Sequence, residues 1–187
     1  RTVDKINKEI EDLEKNNIWK NTMSNNTQIS KLKYIFKERS EKVSDKQFTP
    51  LSVTRDGVKF QIKDIALSDN HENRKKVNIN DIAINSRSAR KGSSGYSKYE
   101  GSVSTVNNVI FSDKLLPEFT HYLFKTNYFM EEYYRIGKGI HDDLWGTKFE
   151  QMGEILLPVP SKTEQLDIVN KIKNQIPNIE EIIETKK

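Results

Sequence analysis

Residues 155–166 read Ile-Leu-Leu-Pro-Val-Pro-Ser-Lys-Thr-Glu-Gln-Leu, an apolar run that ends in Pro-x-Pro and gives way to polar residues. Ser161 and Glu164 lie three residues apart, the spacing at which a hydroxyl and a carboxylate cap the first turn of a helix. The stretch therefore predicts that a helix begins directly after Pro160.

The predicted helix, residues 161–187, carries an apolar stripe at three- and four-residue spacing. Its members are Leu166, Val169, Ile172, Ile176, Ile179 and Ile183. Because proline removes a backbone donor and crowds the preceding turn, a kink or a break is expected at Pro177. A continuous helix of this length spans roughly 40 Å, so we expect the protein body to cover the start of the stripe and a partner to cover its end. The alternative is that the whole stripe packs on its own domain.

Residues 1–20 predict a second amphipathic helix, with apolar residues at Val3, Ile6, Ile10 and Leu13. Both terminal segments are neutral, because each contains five basic and five acidic side chains. The net charge of +4 therefore resides in residues 21–160. We expect three parts: a helical arm at 1–20, a body at 21–160 and a second helical arm at 161–187.

The sequence patterns of the body are typical of a mixed α/β domain. Apolar and β-branched runs at 48–54, 58–62, 81–86 and 106–111 predict strands, and Asp56-Gly57 predicts a hairpin turn between the first two. Pro117 opens a predicted helix in which apolar residues recur as far as Tyr133. Residues 21–30 are polar and are interpreted as a linker. The predicted fold class is α/β, a mixed β-sheet domain with packed helices, flanked by long amphipathic helical arms.

Composition excludes several classes of function. The 187 residues contain no cysteine, which rules out disulfides, thiolate catalysis and zinc ribbons. No apolar run approaches the 18 residues of a membrane span. The chain begins at Arg1 without an apolar signal segment, which suggests an excised or processed chain.

The common catalytic motifs are absent from the sequence. There is no phosphate-binding GxxxxGK[ST] loop and no GxGxxG that follows a strand. His71, His121 and His141 are not paired at metal-ligand spacing, and His121 is interpreted as an ordinary helical residue. We expect no catalytic residue, no metal site and no enzymatic activity of the chain itself.

Residues 86–99 combine four cations, two tyrosines and several serines without a carboxylate. Phosphate contacts need cations and short hydroxyl side chains, and arginine can bind a guanine edge in the major groove. The stretch therefore predicts a nucleic-acid-binding loop, although a solvated basic turn has the same composition. The irregular spacing of Gly92, Gly95 and Gly101 favours a flexible surface loop.

The chain resembles the specificity subunits of type I restriction-modification systems. The similarity is densest at residues 81–86, 91–92, 95–104, 118–123, 137–140, 142–145, 155–160 and 164–165. The last two segments form a strand that ends in Pro-x-Pro and leads through Glu-Gln into a long amphipathic helix, which is especially typical of the family. Residues 31–187 can be placed on one half of such a subunit, so the chain is either a fragment or a half-subunit.

The resemblance implies a non-catalytic, cytoplasmic target recognition domain that binds double-stranded DNA. The helical arms would act as conserved spacer and coiled-coil elements that bind a second recognition domain or a second copy. Partner methyltransferase and restriction subunits would carry out DNA methylation and cleavage, so S-adenosylmethionine, ATP and magnesium would bind there and no cofactor would bind to this chain. The alternative from another class is a helical protein-interaction scaffold with incidental basic loops.

Candidate DNA contacts come from the basic clusters of the body. The predicted set is Arg55, Lys59, Arg74, Lys75, Lys76, Arg87, Arg90, Lys91, Tyr96, Lys98, Lys138, His141 and Lys148. The predicted partner-binding set is the apolar stripe of the last helix.

Overall fold

The computed structural model describes residues 26–61, 72–87, 92–137 and 146–184, and the side chains of the last segment as far as 174. The strands are β1 (Gln28–Lys31), β2 (Lys37–Glu38), β3 (Lys42–Val43), β4 (Leu51–Thr54), β5 (Gly57–Phe60), β6 (Arg74–Val77), β7 (Ile82–Asn85), β8 (Ser94–Tyr96), β9 (Gly101–Ser104), β10 (Asn107–Phe111) and β11 (Leu156–Val159). The α-helices are α1 (Pro117–Leu123), α2 (Asn127–Arg135), α3 (Phe149–Met152) and α4 (Lys162–Glu184), and a 3-10 turn spans Leu32–Tyr34. The predicted mixed α/β class is confirmed, whereas the N-terminal helix at 1–20 lies outside the described residues.

Within the described residues the strands form four antiparallel groups. Their orders are β2-β10-β7-β8, β3-β6-β9, β4-β5 and β1-β11. The pairing of β1 with β11 corrects the interpretation of residues 21–30 as a linker for residues 28–30, because Gln28 lies opposite Val159 in a regular ladder, while residues 21–25 lie outside the described residues. Backbone pairing with a strand far along the chain thus makes this segment a strand despite its polar composition.

The strands at 51–54, 57–60, 82–85 and 107–111 confirm the four runs chosen from the sequence. The hairpin is confirmed as well, since Thr54 lies opposite Gly57 in the β4-β5 ladder. Gly57 has a φ of 116°, a backbone conformation that residues other than glycine rarely adopt. The Asp-Gly signal therefore marks the turn for a steric reason.

The helix predicted from Pro117 to Tyr133 is in fact two helices. Pro117 lies in the first turn of α1 as expected, but the chain leaves the helix after Leu123. Thr126 is extended and its side chain accepts a hydrogen bond from the Phe129 amide, which starts α2. Apolar spacing alone predicts one continuous helix, but the favourable N-cap at Thr126 starts a new helix and so divides it in two.

Helix α4 begins with the predicted capping box. The Ser161 amide donates to Glu164 Oε2 at 2.8 Å, and the Glu164 amide donates to Ser161 Oγ at 3.3 Å. The helix continues without interruption across Pro177 to Glu184, so the break considered for that position does not occur.

Strand β7 is buried on both of its faces and separates two hydrophobic clusters. Ile82 and Ile84 belong to the larger cluster, which packs the sheet against α1, α2 and the first half of α4. Ala83 points to the smaller cluster beneath the β4-β5 hairpin. This arrangement fixes the hairpin on one side of the central sheet and the helices on the other.

Candidate nucleic-acid interface

The basic stretch 86–99 is only partly a loop. Residues 94–96 form β8 and pair with β7, with Ala83 opposite Gly95. The expectation of a flexible surface loop is therefore wrong at Gly95 and at Gly101, because Gly95 belongs to the central sheet and Gly101 lies opposite Val77 in the β6-β9 ladder. Arg87 lies at the other end of the stretch, where it forms an isolated antiparallel bridge with Gly146.

The β4-β5 hairpin packs tightly on β8. A methyl group added at Gly95 would lie 2.7 Å from the Cα atom of Gly57 and 2.9 Å from His121 Nδ1. Only a residue without a side chain allows this approach. The turn of the hairpin is thereby held beside the basic stretch.

Lys125 adds a polar link at the same place. This buried side chain lies in the connection between α1 and α2, and its Nζ donates to the carbonyls of Arg55, Gly92 and Ser94, each at 2.7 Å. Burial lowers the pKa of Lys125 to about 7, and the nearby Asp56 carboxylate opposes that shift. Lys125 thus joins the hairpin turn to the strand that ends the basic stretch.

A cleft of about 550 Å³ opens beside the docked hairpin. Its walls come from β5, the β8-β9 connection, α1 and one residue of α4. The lining residues are Asp56, Gly57, Val58, Lys59, Phe60, Tyr96, Lys98, Tyr99, Glu118, His121, Tyr122 and Lys173. The structure therefore brings together three of the predicted DNA-contacting residues, Lys59, Tyr96 and Lys98.

The charges in this cleft differ in how they are engaged. Lys59 pairs with Asp56 in the hairpin, and Lys173 pairs with Glu118 at 2.8 Å. The hydrogen bond from Lys173 lowers the pKa of Glu118, and Tyr96 donates its hydroxyl to the same carboxylate at 3.3 Å. Lys98 is exposed and makes no ion pair within the described residues, so its charge is available to a ligand.

His121 lies at the base of the cleft between two tyrosine rings. Its ring meets Tyr96 edge-on at 5.9 Å and Tyr122 at 5.4 Å. Burial lowers the pKa of His121 to about 3, so the imidazole is neutral at physiological pH. A neutral, packed imidazole agrees with the interpretation of His121 as a structural helical residue.

The side chains of Arg74, Lys75 and Lys76 form hydrogen bonds or ion pairs with other residues of the protein. Arg74 is 5% exposed, and its guanidinium donates to Ser102 Oγ at 2.9 Å and to the Ser102 carbonyl at 3.1 Å. Lys75 pairs with Glu38 at 3.3 Å, and Lys76 lies near two carboxylates and over an aromatic ring. Arg74 is therefore buried, whereas Lys75 and Lys76 are partly buried. In this structure the Arg74 guanidinium is not at the surface.

The other predicted cations lie apart from the main cleft. Lys75 and Lys148 line a second cleft of about 420 Å³, whose rim includes Gly146, the bridge partner of Arg87. Arg55 is exposed in the hairpin turn. The remaining predicted DNA contacts, Arg90, Lys91, Lys138 and His141, lie outside the described residues and stay predictions.

The apolar stripe of α4 is covered at its start. Val169 and Ile172 are each 2% exposed and belong to the main hydrophobic cluster, whereas Leu166 is 51% exposed. Gln165 fastens this end to the body, because its Oε1 accepts from the Leu116 amide at 2.7 Å. The side chains of Ile176, Ile179 and Ile183 lie outside the described residues, so their partner-binding role stays a prediction.

Sequence reasoning missed two functional features. Lys125 had no distinguishing neighbours in the sequence, because its three acceptors are backbone atoms up to 70 positions away. The pairing of Phe60 with Tyr99 likewise joins residues distant in sequence, one in the β4-β5 hairpin and one in the β8-β9 connection. No single-sequence signal marks either feature.

The described ranges contain no cluster of His, Asp and Glu side chains that could hold a metal ion. Of the helices assigned in them, none has both the length and the apolar character that a membrane span requires.

Comparisons with known proteins find similarity in the fold but not in the sequence. No family model matches the sequence, and no curated protein matches it. Solved structures do match. The HsdS subunit from Thermoanaerobacter tengcongensis superimposes with a TM-score of 0.65 at 15% identity, over 87% of this chain and 45% of that one.

A second structure, from work on complex assembly and conformational transition of the type I R-M system, matches with a TM-score of 0.63 at 15% identity and the same coverage. The chain thus spans slightly less than half the length of these neighbours. The resemblance seen in the sequence is confirmed, and the fold of this chain is that of one part of the HsdS specificity subunits of type I restriction-modification systems.

Proposed function

We propose that this chain is a target recognition domain that binds double-stranded DNA sequence-specifically, as the specificity subunit of a type I restriction-modification system or as half of one. The observation that carries the proposal is the fold, which matches HsdS structures over 87% of the chain. The cleft beside the β4-β5 hairpin supplies cations of the kind that DNA binding requires.

The geometry supports contact through two segments, the β4-β5 hairpin and the segment formed by β8 and the β8-β9 connection. Lys125 and the approach of Gly95 to Gly57 join the hairpin turn to β8. A preorganised pair of segments loses little conformational freedom on binding, so more of the contact energy appears as affinity. Lys59 and Lys98 lie on these two segments and are the best-placed predicted contacts.

In this proposal the chain supplies specificity and no chemistry. Methyltransferase and restriction subunits would bind S-adenosylmethionine, ATP and magnesium and would be directed to a bipartite target. A second recognition domain or a second copy would read the other half of that target. An interaction scaffold is not favoured, because the fold neighbours are specificity subunits and the start of the α4 stripe is buried in the body.

Fluorescence anisotropy with mixed-sequence DNA duplexes at several salt concentrations tests the proposal. We expect salt-dependent binding, and we expect Lys59→Ala with Lys98→Ala to reduce the slope of log K against log salt by up to about 1.8, because each lost phosphate contact removes about 0.9. Lys37→Ala with Lys162→Ala is the matched control, since these exposed lysines line neither cleft. Absence of DNA binding by the folded chain at low salt would refute the proposed function.

A further inference from the structure

Two aromatic side chains form an exposed pair at the mouth of the main cleft. The ring centroids of Phe60 and Tyr99 lie 4.2 Å apart with an interplanar angle of 40°. Phe60 is 52% exposed and Tyr99 is 38% exposed. Large apolar side chains usually lie inside a protein or at a binding surface when they occur together, so this pair indicates a contact surface.

The backbone under each ring is fixed. Phe60 lies opposite Leu51 in the β4-β5 ladder. The Tyr99 amide donates to Ser97 Oγ at 3.2 Å, and the Ser97 hydroxyl donates to the Tyr99 carbonyl at 2.7 Å. Ser97 itself is fully buried. The pair is therefore a rigid apolar surface that the fold holds partly in solvent.

Cations flank the aromatic pair along the chain. Lys59 precedes Phe60, and Lys98 precedes Tyr99, and both lysines are exposed. Lys59 is paired with Asp56, whereas Lys98 makes no ion pair within the described residues. The surface is therefore complementary to a ligand that carries negative charge beside a small apolar group. An apolar protein partner would not require the cation, and a polyanion without an apolar group would not require the rings.

Duplex DNA presents this combination in its major groove. The 5-methyl group of thymine is the apolar group among the base edges there, and phosphates border the groove on both sides. Bases inside a duplex remain stacked, so the rings would meet the methyl edge rather than a base face. We infer that the Phe60–Tyr99 pair contacts thymine methyl groups and thereby determines part of the sequence preference. This inference rests on the proposed function and names a base that the site reads.

The test uses the unmodified chain and changes the DNA. Selection from a randomised duplex library gives a preferred duplex, and the same duplex is then made with deoxyuridine in place of thymidine, one position at a time. Uracil keeps every hydrogen-bonding group and loses only the methyl group. We expect binding to weaken about fourfold at each contacted position, the effect of burying one methyl group.

Variants then assign the effect to the pair. Phe60→Ala with Tyr99→Ala should bind the thymine and uracil duplexes equally well, while Tyr34→Ala should keep the wild-type preference. Tyr34 is the matched control because it is 63% exposed and lies outside the cleft. The comparison of thymine with uracil in the wild-type chain needs no variant, so it stands even if the double variant folds poorly.

The outcomes separate this inference from the proposed function. No DNA binding at all would overturn both. Sequence-selective binding that is indifferent to thymine methyl groups, or a selected duplex without thymine, would overturn the inference and leave the proposed function intact. Equal binding of both duplexes together with loss of methyltransferase-subunit binding in the double variant would show that the rings contact a protein.

Discussion

Gly95 and Gly57 approach so closely that a methyl group on Gly95 would lie 2.7 Å from the Cα of Gly57. The contact joins the central sheet to the turn of the β4-β5 hairpin, which bears the cleft lysine Lys59. The position of the hairpin, and with it the candidate DNA surface, depends on the missing side chain of Gly95 and on the positive φ that Gly57 permits.

Gly95→Ala should therefore displace the hairpin. Overpacking of this kind costs about 1–3 kcal/mol of unfolding free energy, and the new methyl group would also meet His121 Nδ1 at 2.9 Å. Urea denaturation measures the loss. Gly146→Ala is the control, because its methyl group would meet Ser86 Oγ at an ordinary 3.4 Å. Equal stabilities of the two variants would contradict the proposed packing.

Lys125→Met should loosen the same hairpin without a steric clash. The change removes the donor from the carbonyls of Arg55, Gly92 and Ser94. It also removes a buried charge, which offsets part of the loss. We expect amide exchange in β5 and β8 to accelerate about tenfold, the equivalent of one net hydrogen bond. Hydrogen exchange followed by mass spectrometry checks this, with β1 and β11 as the internal control. Unchanged exchange in β5 and β8 would rule out the link.

The elements that the sequence predicted correctly are those set by neighbouring residues. The Asp-Gly turn needs a positive φ at Gly57, and the capping box of α4 joins Ser161 to Glu164 within one turn. Features that depend on distant contacts were not predictable. Nothing adjacent to Lys125 signals that it reaches three carbonyls. The N-cap at Thr126 is a different case, because it is a local signal that an interpretation based on apolar spacing alone overlooked.

The candidate site shows the same division. Composition selected Lys59 and Lys98 as candidate DNA contacts, which stays a prediction, and only the fold shows that these residues, 39 positions apart, line one cleft. Composition could not show that Arg74 is buried, because its guanidinium binds Ser102, which lies 28 positions away in the sequence. An arginine in a basic run has the same local sequence whether it faces DNA or a serine.

Arg74 and Lys98 should behave in opposite ways when they are replaced. Arg74→Met leaves the Ser102 carbonyl and hydroxyl without a buried donor and should lower the unfolding free energy by about 2 kcal/mol, with the salt slope of DNA binding unchanged. Lys98→Ala should leave stability within about 0.5 kcal/mol and reduce the slope by about 0.9. A flatter salt slope for Arg74→Met would restore the sequence-based prediction that Arg74 contacts DNA.

Acid should destabilise the fold through His121. Its pKa is about 3 in the folded protein and about 6.5 when unfolded, so between these values the unfolded chain binds more protons and stability falls as the pH falls. From pH 7 to pH 4 the loss from this residue is about 3 kcal/mol. His121→Gln cannot take up a proton in this range, so its stability should depend less steeply on pH. Parallel pH profiles for the two proteins would show that His121 becomes charged without cost.

The last helix offers a test of assembly that keeps the body intact. Ile172 is 2% exposed in the main cluster, and residues 176 and 179 continue the same stripe of sequence along α4, one and two turns further on. If the end of this stripe binds a methyltransferase subunit or a second copy, Ile176→Asp with Ile179→Asp should abolish that assembly, because two carboxylates would be buried without partners. DNA binding by the body should persist, since the described contacts of α4 with the body extend from Gln165 to Lys173, before the two substituted positions. Ile172→Asp is the contrasting variant and should unfold the body. Light scattering and co-purification measure the assembly, and intact assembly of the double variant would show that the end of α4 takes no part in it.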